Sequence, residues 1–489
     1  MTPPGRNGYP FARMRTALTF SALCVAVALA GCSAGPDYEP PTLAVPGAFR
    51  GDIARPTPAS APATVTPDAA RPLAGLDPWW RRLDDPMLNQ LIERGLANNN
   101  DIRIALARLT QAVTQRDGAS ASYLPTINVA NSVNRRRTPT DGERRGEREQ
   151  TRDAFRIGID ASWELDLVGR RDRVFEAADA STAAAQMALA DARLSLSGEM
   201  ARNYIQLRAL QQRLDIAERG VKTAFDTLDA TRRLQAEGAT TRIAVVEAEA
   251  EYERARARVP VLRAAMQRSI HRIGVLAGEG PADRLDDLVR REPMPKAPPL
   301  PDLGLPSDLV QRRPDLRRAE RELAAATARI GVAASEFYPR FNLTAGFGPQ
   351  TAVLSALPGG LAWTIGSALL MPLFDGGRIR ANVELAEARQ VEAGLVFHQT
   401  LLVALQEVEG NLVGYQSEDE RIDILTRARA LAEESLRAAD QRFQDGEISL
   451  FERFDIQRQF QSTDDDLVQA RETQLLSLIA LVRALGGNW

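Results

Sequence analysis

Few residues in this chain of 489 have side chains suited to nucleophilic or metal chemistry. It contains two cysteines, Cys24 and Cys32, and two histidines, His271 and His398. The histidines lie far apart in sequence without a cluster of partner ligands, so we expect both on exposed helix surfaces. The sequence contains no nucleophile elbow, phosphate-binding loop or metal-ligand spacing. These observations argue against an enzyme and against a metal or other non-covalent cofactor.

The N-terminal segment offers one reactive group, the thiol of Cys32. An apolar run over residues 17–30 is too short to span a bilayer as a helix, and it has the pattern of a secretory signal. The run ends in Leu29-Ala30-Gly31-Cys32, which is similar to a bacterial lipobox, where the cysteine becomes the first mature residue and carries lipid. We therefore predict a signal peptide over 1–31 and a covalent lipid on Cys32. The alternative is an ordinary signal peptide that happens to contain a cysteine.

The residues after Cys32 indicate where the mature chain is delivered. By similarity to bacterial lipoproteins, Ser33 in place of aspartate favours the outer membrane. Residues 32–78 are rich in proline, alanine and threonine, which is typical of an extended, partly disordered tether. Because Cys24 lies in the segment to be removed, we expect no disulfide in the mature chain. The net charge of −3 gives no indication of a nucleic acid partner.

Glycines recur along the chain at one fixed separation. Gly377 follows Gly169, Gly446 follows Gly238 and Gly486 follows Gly278, each at an offset of 208. Matching sequence surrounds the first pair, Leu165-x-x-x-Gly169-Arg170 and Leu373-x-x-x-Gly377-Arg378. We therefore interpret the chain as a long internal duplication, in which each half has an alternating hairpin followed by two long helices.

The clearest strand signal lies between Phe155 and Asp166, where apolar and polar residues alternate. Successive side chains of a strand point to opposite faces. One face then carries Phe155, Ile157, Ile159, Ala161, Trp163 and Leu165, and the other carries Arg156, Gly158, Asp160, Ser162, Glu164 and Asp166. This pattern favours a strand with one side toward lipid and one toward a watery lumen. A half-buried strand of a soluble protein would alternate in the same way and is the alternative.

Three other runs alternate similarly, so the predicted strands are about 123–135, 153–166, 338–348 and 361–373. Each is near the ~9–11 residues that a tilted strand needs to cross a bilayer. Four strands cannot close a barrel, and an open sheet edge in lipid leaves backbone groups unsatisfied. We therefore expect a mixed α/β membrane protein that oligomerises.

Long helices follow each hairpin. Residues 169–237 contain no proline and predict a helix on the order of 100 Å at ~1.5 Å per residue, with apolar residues spaced as in a coiled-coil seam. The predicted helices are 169–237, 241–276, 378–445 and 449–485, and we expect Pro260 to kink the second. The domain organisation is then a first repeat 79–279, a proline-rich linker 280–305 wrapped on the outside, and a second repeat 306–489.

Three motifs resemble the outer membrane factor family, in particular its NodT-type efflux lipoproteins. They are Leu305-Pro306-Ser307-Asp308-Leu309-Val310-Gln311-Arg312-Arg313-Pro314-Asp315, then Ala328-Arg329-Ile330-Gly331-Val332-Ala333 with Phe337-Tyr338-Pro339, and the ending Ala484-Leu485-Gly486-Gly487-Asn488-Trp489. The resemblance covers essentially the whole mature chain. It implies a homotrimer with a twelve-stranded transmembrane β-barrel, four strands per subunit, continued by a periplasmic α-helical coiled-coil barrel.

The resemblance also implies a function. Family members form the outer membrane channel of tripartite, RND-type efflux systems, a passive exit duct for drugs or other small toxic compounds. The implied partners are a periplasmic adaptor (membrane fusion protein), an inner-membrane RND pump and outer membrane lipid. Two alternatives are a type I protein-secretion channel of the same fold, and a structural periplasmic coiled-coil lipoprotein with soluble hairpins.

The helical-hairpin turns are where the family meets its adaptors, so Gly238, Ala239, Thr240, Gly446, Glu447 and Ile448 are candidate docking residues. Asp440, Asp445 and Glu447 cluster at the second turn. Family members place acidic residues near this turn, where they narrow the periplasmic entrance, so these three are candidate gate residues. The alternative for each is a solvated helix end.

A second charged group lies in the first hairpin loop, with Arg135-Arg136-Arg137 and Glu143-Arg144-Arg145. Mixed charges of this kind are typical of a solvated loop. Contact with anionic lipopolysaccharide is the alternative.

Overall fold

The computed structural model describes residues 33–49, 63–67, 78–138, 150–281, 283, 285–301 and 303–487. The predicted signal peptide and Cys32 lie outside the described residues, as does the loop 139–149. The helices and strands, in chain order, are β1 (Leu43–Val45), β2 (Ala63–Val65), α1 (Pro86–Asn98), α2 (Asn100–Ala121), β3 (Thr126–Thr138), β4 (Gln150–Leu165), α3 (Arg170–Ala236), α4 (Arg242–Leu276), α5 (Leu285–Val289), α6 (Pro306–Arg312), α7 (Pro314–Ala334), β5 (Arg340–Thr351), β6 (Leu361–Leu370), α8 (Arg378–Gln444) and α9 (Leu450–Ala484).

The second half of the chain repeats the first, element by element. Helices α3 and α8 each contain 67 residues, and their first residues are separated by the offset of the repeated glycines. Helices α4 and α9 each contain 35 residues, and their first residues have the same separation. Their bounds differ from the predicted helices by one residue at most, and α4 runs through Pro260 without a break. The internal duplication is confirmed.

One compact unit contains the four-stranded sheet, with residues of Thr110–Ala183 and Arg321–Leu395 and the N-terminal residues up to Glu39. The strands pair antiparallel in the order β3-β4-β5-β6. Their ends lie within three residues of the predicted ones. Asp166 ends the first hairpin by accepting hydrogen bonds from the backbone N–H groups of Arg170 and Arg171, at 2.9 and 2.7 Å. A carboxylate in this position satisfies N–H groups that have no partner inside the helix.

The other compact unit contains Pro40–Leu109, Ala184–Glu320 and Val396–Trp489. Its largest core cluster joins Trp79 and Trp80 to apolar residues of α1, α3, α4 and α9. The indole of Trp79 is 1% exposed and donates to the hydroxyl of Ser197 at 3.3 Å. The two tryptophans therefore anchor the start of the first repeat in the helical core.

The linker 280–305 is attached to this unit more firmly than its proline content suggested. Leu288 of α5 is fully buried in the main core cluster. The buried guanidinium of Arg208 donates to the carbonyl oxygen of Arg290 and to the carboxylate of Glu292, both at 2.9 Å. A buried charge is costly unless it is hydrogen-bonded, so this contact fixes where the linker crosses α3.

The tether prediction differs from the structure in its described part. Strand β1 pairs with β2, and Leu43 and Val45 are buried in a cluster that contains Leu309 of α6 and Phe397 of α8. These two apolar residues gain more from burial than from solvation. This stretch is therefore a packed strand pair rather than a free tether.

Candidate functional site

The apolar face of the sheet is exposed across all four strands. Val129, Ile159, Phe347 and Trp363 lie opposite one another in register and are 82%, 50%, 55% and 71% exposed. The row formed by Ile127, Ala161, Ala345 and Ile365 continues this face. A contiguous apolar surface of this kind marks contact with lipid or protein.

The height of this apolar band follows from β4. Its outward-facing residues run from Leu165 to Phe155, ten residue steps, which is about 33 Å of strand at ~3.3 Å per residue. A tilt of ~35–45° gives a band about 25 Å tall, the height of the apolar band on outer membrane strands. The predicted assignment of faces on β4 therefore fits a membrane-spanning strand.

The opposite face of the sheet is small and polar. Asn128, Asp160, Gly346 and Thr364 form the row in register. The guanidinium of Arg156 donates to both carboxylate oxygens of Asp160, with one contact at 2.9 Å. The ion pair lies directly above the backbone of Gly346, where a Cβ would be 2.8 Å from the Nη2 atom of Arg156. This face suits water and polar solutes.

The two outer strands of the sheet are paired on one side only within the described residues. Strand β3 pairs with β4, and β6 pairs with β5. An open edge costs several kcal/mol for each unsatisfied backbone group in a bilayer. The sheet therefore needs partner strands if its apolar band lies in lipid.

The junction between the sheet and the long helices is fixed by carboxylates. Asp375 accepts from the backbone N–H groups of Gly377 and Ile379, at 2.9 and 2.7 Å, and the bond from Ile379 is the main cause of its lowered pKa. Tyr123 donates to Asp172 at 2.6 Å. Burial, followed by this hydrogen bond, raises the pKa of Tyr123 to about 12. Both contacts hold the hairpins at the starts of α3 and α8.

The residues just after Cys32 are held at this same junction. The backbone N–H of Ala34 donates to the carbonyl oxygen of Val168 at 2.9 Å. Arg173, which is 5% exposed, donates to the carbonyl oxygen of Ala34 at 3.1 Å and to Asp37 at 2.6 Å. Cys32 itself lies outside the described residues, but its neighbours are held just beyond the end of β4. Residues 33–37 thus lie at one rim of the apolar band.

A close backbone approach makes this contact possible. A Cβ at Gly331 would lie 2.6 Å from the carbonyl oxygen of Ala34, and a Cβ at Gly35 would lie 2.4 Å from the Cα of Gly331. Gly331 belongs to the second family-like motif. Its role in this structure is to admit the N-terminal segment.

The first family-like motif contains Arg313, which joins the start of the second repeat to its end. Arg313 donates to both oxygens of Asp315, to Glu407 at 2.8 Å and to the carbonyl oxygen of Ala484 at 3.0 Å. Burial disfavours the charged form of Asp315, but its hydrogen bonds from Arg313 outweigh this and lower its pKa. In the first repeat, Asn99 donates to the carbonyl oxygen of Leu276 at 3.0 Å. Because Leu276 and Ala484 are related by the offset of the duplication, the two closures are equivalent.

The two helical-hairpin turns have the same backbone geometry. Gly238 and Gly446 have φ angles of 75° and 73°, a left-handed conformation that favours glycine. At each turn the N–H after the glycine bonds a carbonyl five residues earlier, Ala239 to Leu234 and Glu447 to Arg442, both at 2.8 Å. This is a Schellman motif. Thr241 and Ser449 then cap the following helices.

Most candidate docking residues are accessible. Gly238, Ala239, Gly446 and Glu447 are exposed, and Thr240 is half-buried. Ile448 is buried. Its side chain therefore anchors the second turn and is not available as a contact in this conformation.

The candidate gate residues are engaged within the second hairpin. Asp440 accepts from Arg453 at 2.7 Å, across the two helices. Glu447 accepts from Arg442 at 3.1 Å, and Asp445 accepts from the Gln441 amide. Only the first of these bonds joins α8 to α9.

Sequence reasoning did not identify the cationic partners Arg453 and Arg173. Arg453 lies 13 residues from Asp440 and meets it only because the chain turns at Gly446. In the first helical hairpin the charges are exchanged between the helices. There the arginine, Arg232, lies on α3 and donates to Glu249 of α4 at 3.1 Å. Each hairpin is therefore braced by one inter-helix ion pair near its turn.

The histidines are exposed on α4 and α8, which confirms their predicted surface positions. The described residues contain no group of three metal-ligating side chains. None of the described helices combines the length and apolar character that a membrane span requires.

Comparisons with known proteins agree with this geometry. The outer membrane efflux protein family matches residues 91–279 and 305–487. The outer membrane protein OprJ of Pseudomonas aeruginosa is 30% identical, over 97% of each chain. Nodulation protein T of Rhizobium leguminosarum bv. trifolii is 29% identical, over 94% of this chain and 95% of its own.

A solved structure of the outer-membrane channel OprN is 31% identical, with a TM-score of 0.84, and covers 94% of this chain and 100% of its own. The family match falls on the two repeats and omits residues 280–304, nearly the whole of the linker between them. The chain therefore belongs to the outer membrane efflux protein family.

Proposed function

We propose that the protein is the homotrimeric outer membrane duct of a tripartite, RND-type efflux system. In this assembly three four-stranded sheets close one barrel, and the helical hairpins continue it into the periplasm. The observation that carries the proposal is the apolar band about 25 Å tall on a sheet whose two outer strands are each paired on one side only among the described residues. A closed barrel satisfies both edges at once.

An uncovered stripe on α8 supports association with further copies. Leu402, Val413 and Ile424 recur at equal intervals and are 47%, 52% and 51% exposed. Their equivalents in α3, related by the offset of the duplication, are all buried: Leu194, Ile205 and Ile216. Apolar residues repeated at such an interval, close to three helical turns, form one continuous stripe along a helix.

The covering helix can be inferred from the duplication. Ile216 of α3 packs with Val468 of α9 in one apolar cluster. The first-repeat counterpart of α9 is α4. By the same relation, α4 of a neighbouring copy would cover the stripe on α8.

The protein's role in export follows from its relatives and from the turns. OprJ is an outer membrane protein and OprN is an outer-membrane channel, and a duct of this kind supplies passage while a pump supplies energy. The turn residues 238–240 and 446–447, which are exposed or half-buried, are the proposed contacts for a periplasmic adaptor. The proposed cargo is drugs or other small toxic compounds, and the proposed anchor is lipid on Cys32.

Two measurements test this proposal. Purified protein in planar bilayers should form stable conducting channels, and cross-linking should give a trimer. Expressed with a cognate adaptor and pump in a strain that lacks its own outer membrane efflux channel, the protein should restore drug resistance. A non-conducting monomer would support a structural periplasmic lipoprotein instead. Conductance with secretion of a polypeptide, but no resistance, would support a type I secretion channel.

A further inference from the structure

Strand β6 ends three residues earlier than β4, its counterpart in the first repeat. The offset of the duplication relates Leu165, the last residue of β4, to Leu373, but β6 ends at Leu370. Residues 371–373 belong to no strand, and Met371 and Leu373 are 50% and 92% exposed. The two repeats therefore differ where each sheet hairpin leads into its long helix.

The pairing of β4 shows which contact is missing from β6. Strand β3 pairs with β4 only as far as Ser162, and the last residues of β4, 163–165, pair with β5 alone. Strand β6 likewise pairs with β5 only as far as Leu370, and on its other side the described residues supply no strand. Residues 371–373 therefore lack the partner that β5 provides to 163–165.

The two sheet hairpins have the same internal register, so one can be mapped onto the other. Their second strands correspond at the offset of 208 and their first strands at an offset of 214, as the matching residues show: Pro125-x-Ile127-Asn128-Val129 and Pro339-x-Phe341-Asn342-Leu343. The opposed pair of Thr126 and Ser162 then maps onto Arg340 and Leu370, which are also opposed. The difference in length between the hairpins thus lies in their loops.

The junction between the two hairpins of one chain is a template for the junction between copies. It joins β4, the second strand of one hairpin, to β5, the first strand of the next. The equivalent strands are β6 of one copy and β3 of a neighbour. Under the two offsets, the pairs Ser162–Thr344, Trp163–Leu343 and Leu165–Phe341 of the internal junction become Leu370–Ala130, Met371–Val129 and Leu373–Ile127.

The side-chain faces agree with this register. Ile127 and Val129 lie on the apolar face of β3. By the two-residue period of a strand, Met371 and Leu373 share the face of Trp363, which is also apolar. A shift of one residue would place each of these apolar side chains opposite a residue of the polar face. The apolar band therefore continues across the junction only if the register has this parity.

The backbone groups at the open edge of β6 also agree. At the far end of the second hairpin, the N–H of Gln350 donates to the carbonyl oxygen of Gly360 at 2.8 Å. Because backbone groups of an antiparallel strand alternate in direction, even-numbered residues of β6 face β5 and odd-numbered residues face the open edge. Pro372, which has no N–H, falls on the β5 side. A ladder formed by Met371 and Leu373 therefore loses no bond to this proline.

We propose that residues 371–373 form a strand only on assembly, by pairing with residues 127–129 of a neighbouring copy. The inference rests on the proposed trimer and specifies the register in which its sheets join. The partner is a second copy of this chain because its β3 edge supplies an apolar face in phase with β6. The same edge supplies open N–H and C=O groups. The pairing continues the ladder β3-β4-β5-β6 into the next copy and satisfies backbone groups that lipid cannot.

Cysteine cross-linking tests this register, since Cys32 is the only cysteine expected in the mature chain. Ala130→Cys with Leu370→Cys places two thiols directly opposite each other on the polar face. This is a non-hydrogen-bonded pair with Cα atoms ~4.5 Å apart, which suits a disulfide, so oxidation should give a closed covalent trimer on a non-reducing gel. Leu370→Cys with Asn128→Cys or with Ser132→Cys sets the thiols on diagonal positions ~7–8 Å apart and should give a several-fold lower yield.

The matched calibration is Ser162→Cys with Thr344→Cys, the equivalent pair inside one chain. It should form a disulfide without linking copies. Hydrogen exchange of the assembled wild type is a second measurement. The amides of Met371 and Leu373 should be protected in the trimer as strongly as their counterparts in β4.

The outcomes separate the register from the trimer. A higher yield in either diagonal variant than in the Ala130→Cys, Leu370→Cys variant would overturn the register and leave the trimer intact. Unlinked copies in all three variants, with the internal disulfide formed and trimers seen by amine cross-linking, would show that β6 does not meet β3. If the cysteine variants fail to assemble, fast amide exchange at 371 and 373 in the wild-type trimer refutes the pairing. A wild type that forms no trimer would refute the proposed duct itself.

Discussion

The assignment of faces on β4 makes a quantitative prediction for Ile159→Arg. Ile159 is 50% exposed on the apolar face and lies four residues from Phe155 and six from Leu165. Four steps of ~3.3 Å at a tilt of ~40° place it about 10 Å below one edge of a band ~25 Å tall, close to the midplane. An arginine at that depth costs about 2–4 kcal/mol per subunit, a change of roughly 30- to 900-fold in a folding equilibrium.

The matched control is Ser162→Arg, three residues along the same strand on the polar face. This arginine points toward the lumen, so we expect assembly near the wild-type level and altered conductance. Heat-stable oligomers on a gel and refolding into lipid vesicles in urea measure the loss. If both variants lose assembly equally, the faces are wrongly assigned and the sheet is a soluble one.

Four further predictions concern the anchor and the periplasmic turns. Cys32→Ser should abolish the lipid seen by mass spectrometry of the mature N-terminus; an unmodified cysteine in the wild type would contradict the lipobox interpretation. Arg173→Met removes the donor to the Ala34 carbonyl and should lower the free energy needed to detach residues 33–37 by about 1–3 kcal/mol, measured as faster hydrogen exchange over 33–37. Unchanged protection would show that Arg173 does not hold this segment. Asp440→Asn with Asp445→Asn weakens the bond between residue 440 and Arg453, and should raise the resting conductance and reduce the cation preference of the channel. Unchanged single-channel records would contradict the assignment of these residues to a gate. Gly446→Val disfavours the positive φ of the turn and should spare trimers but abolish drug resistance; full resistance would remove the docking assignment.

The repeats and elements were predictable because their signals are local and periodic. The alternation of β4 has a period of two and the seam of α3 has a period near 3.6, so each could be recognised from neighbouring residues. The glycines at Gly238 and Gly446 marked the helix ends, since a left-handed residue commonly follows a helix. Prediction failed for 43–45, where short apolar stretches among prolines gave no periodic signal.

The candidate site was only partly predictable for the same reason. The acidic residues near the second turn could be identified from composition, but their bonding could not. Asp440 meets Arg453 through the geometry of the turn, and Ile448 is buried although it lies in a short polar connection. These are properties of packing between helices, which spacing along the chain does not specify.

The amino-acid sequence by itself determined the duplication, the alternating strands, the long helices and the lipobox, because each depends on residue order within a short window or at one fixed offset. Only the tertiary structure decided that Arg136 lies opposite Arg152, that Arg173 binds the N-terminal segment, and that Arg208 binds the linker. Those contacts join residues up to 139 positions apart. Strand register and helix packing bring them together, and both are set by burial of the whole chain rather than by local preference.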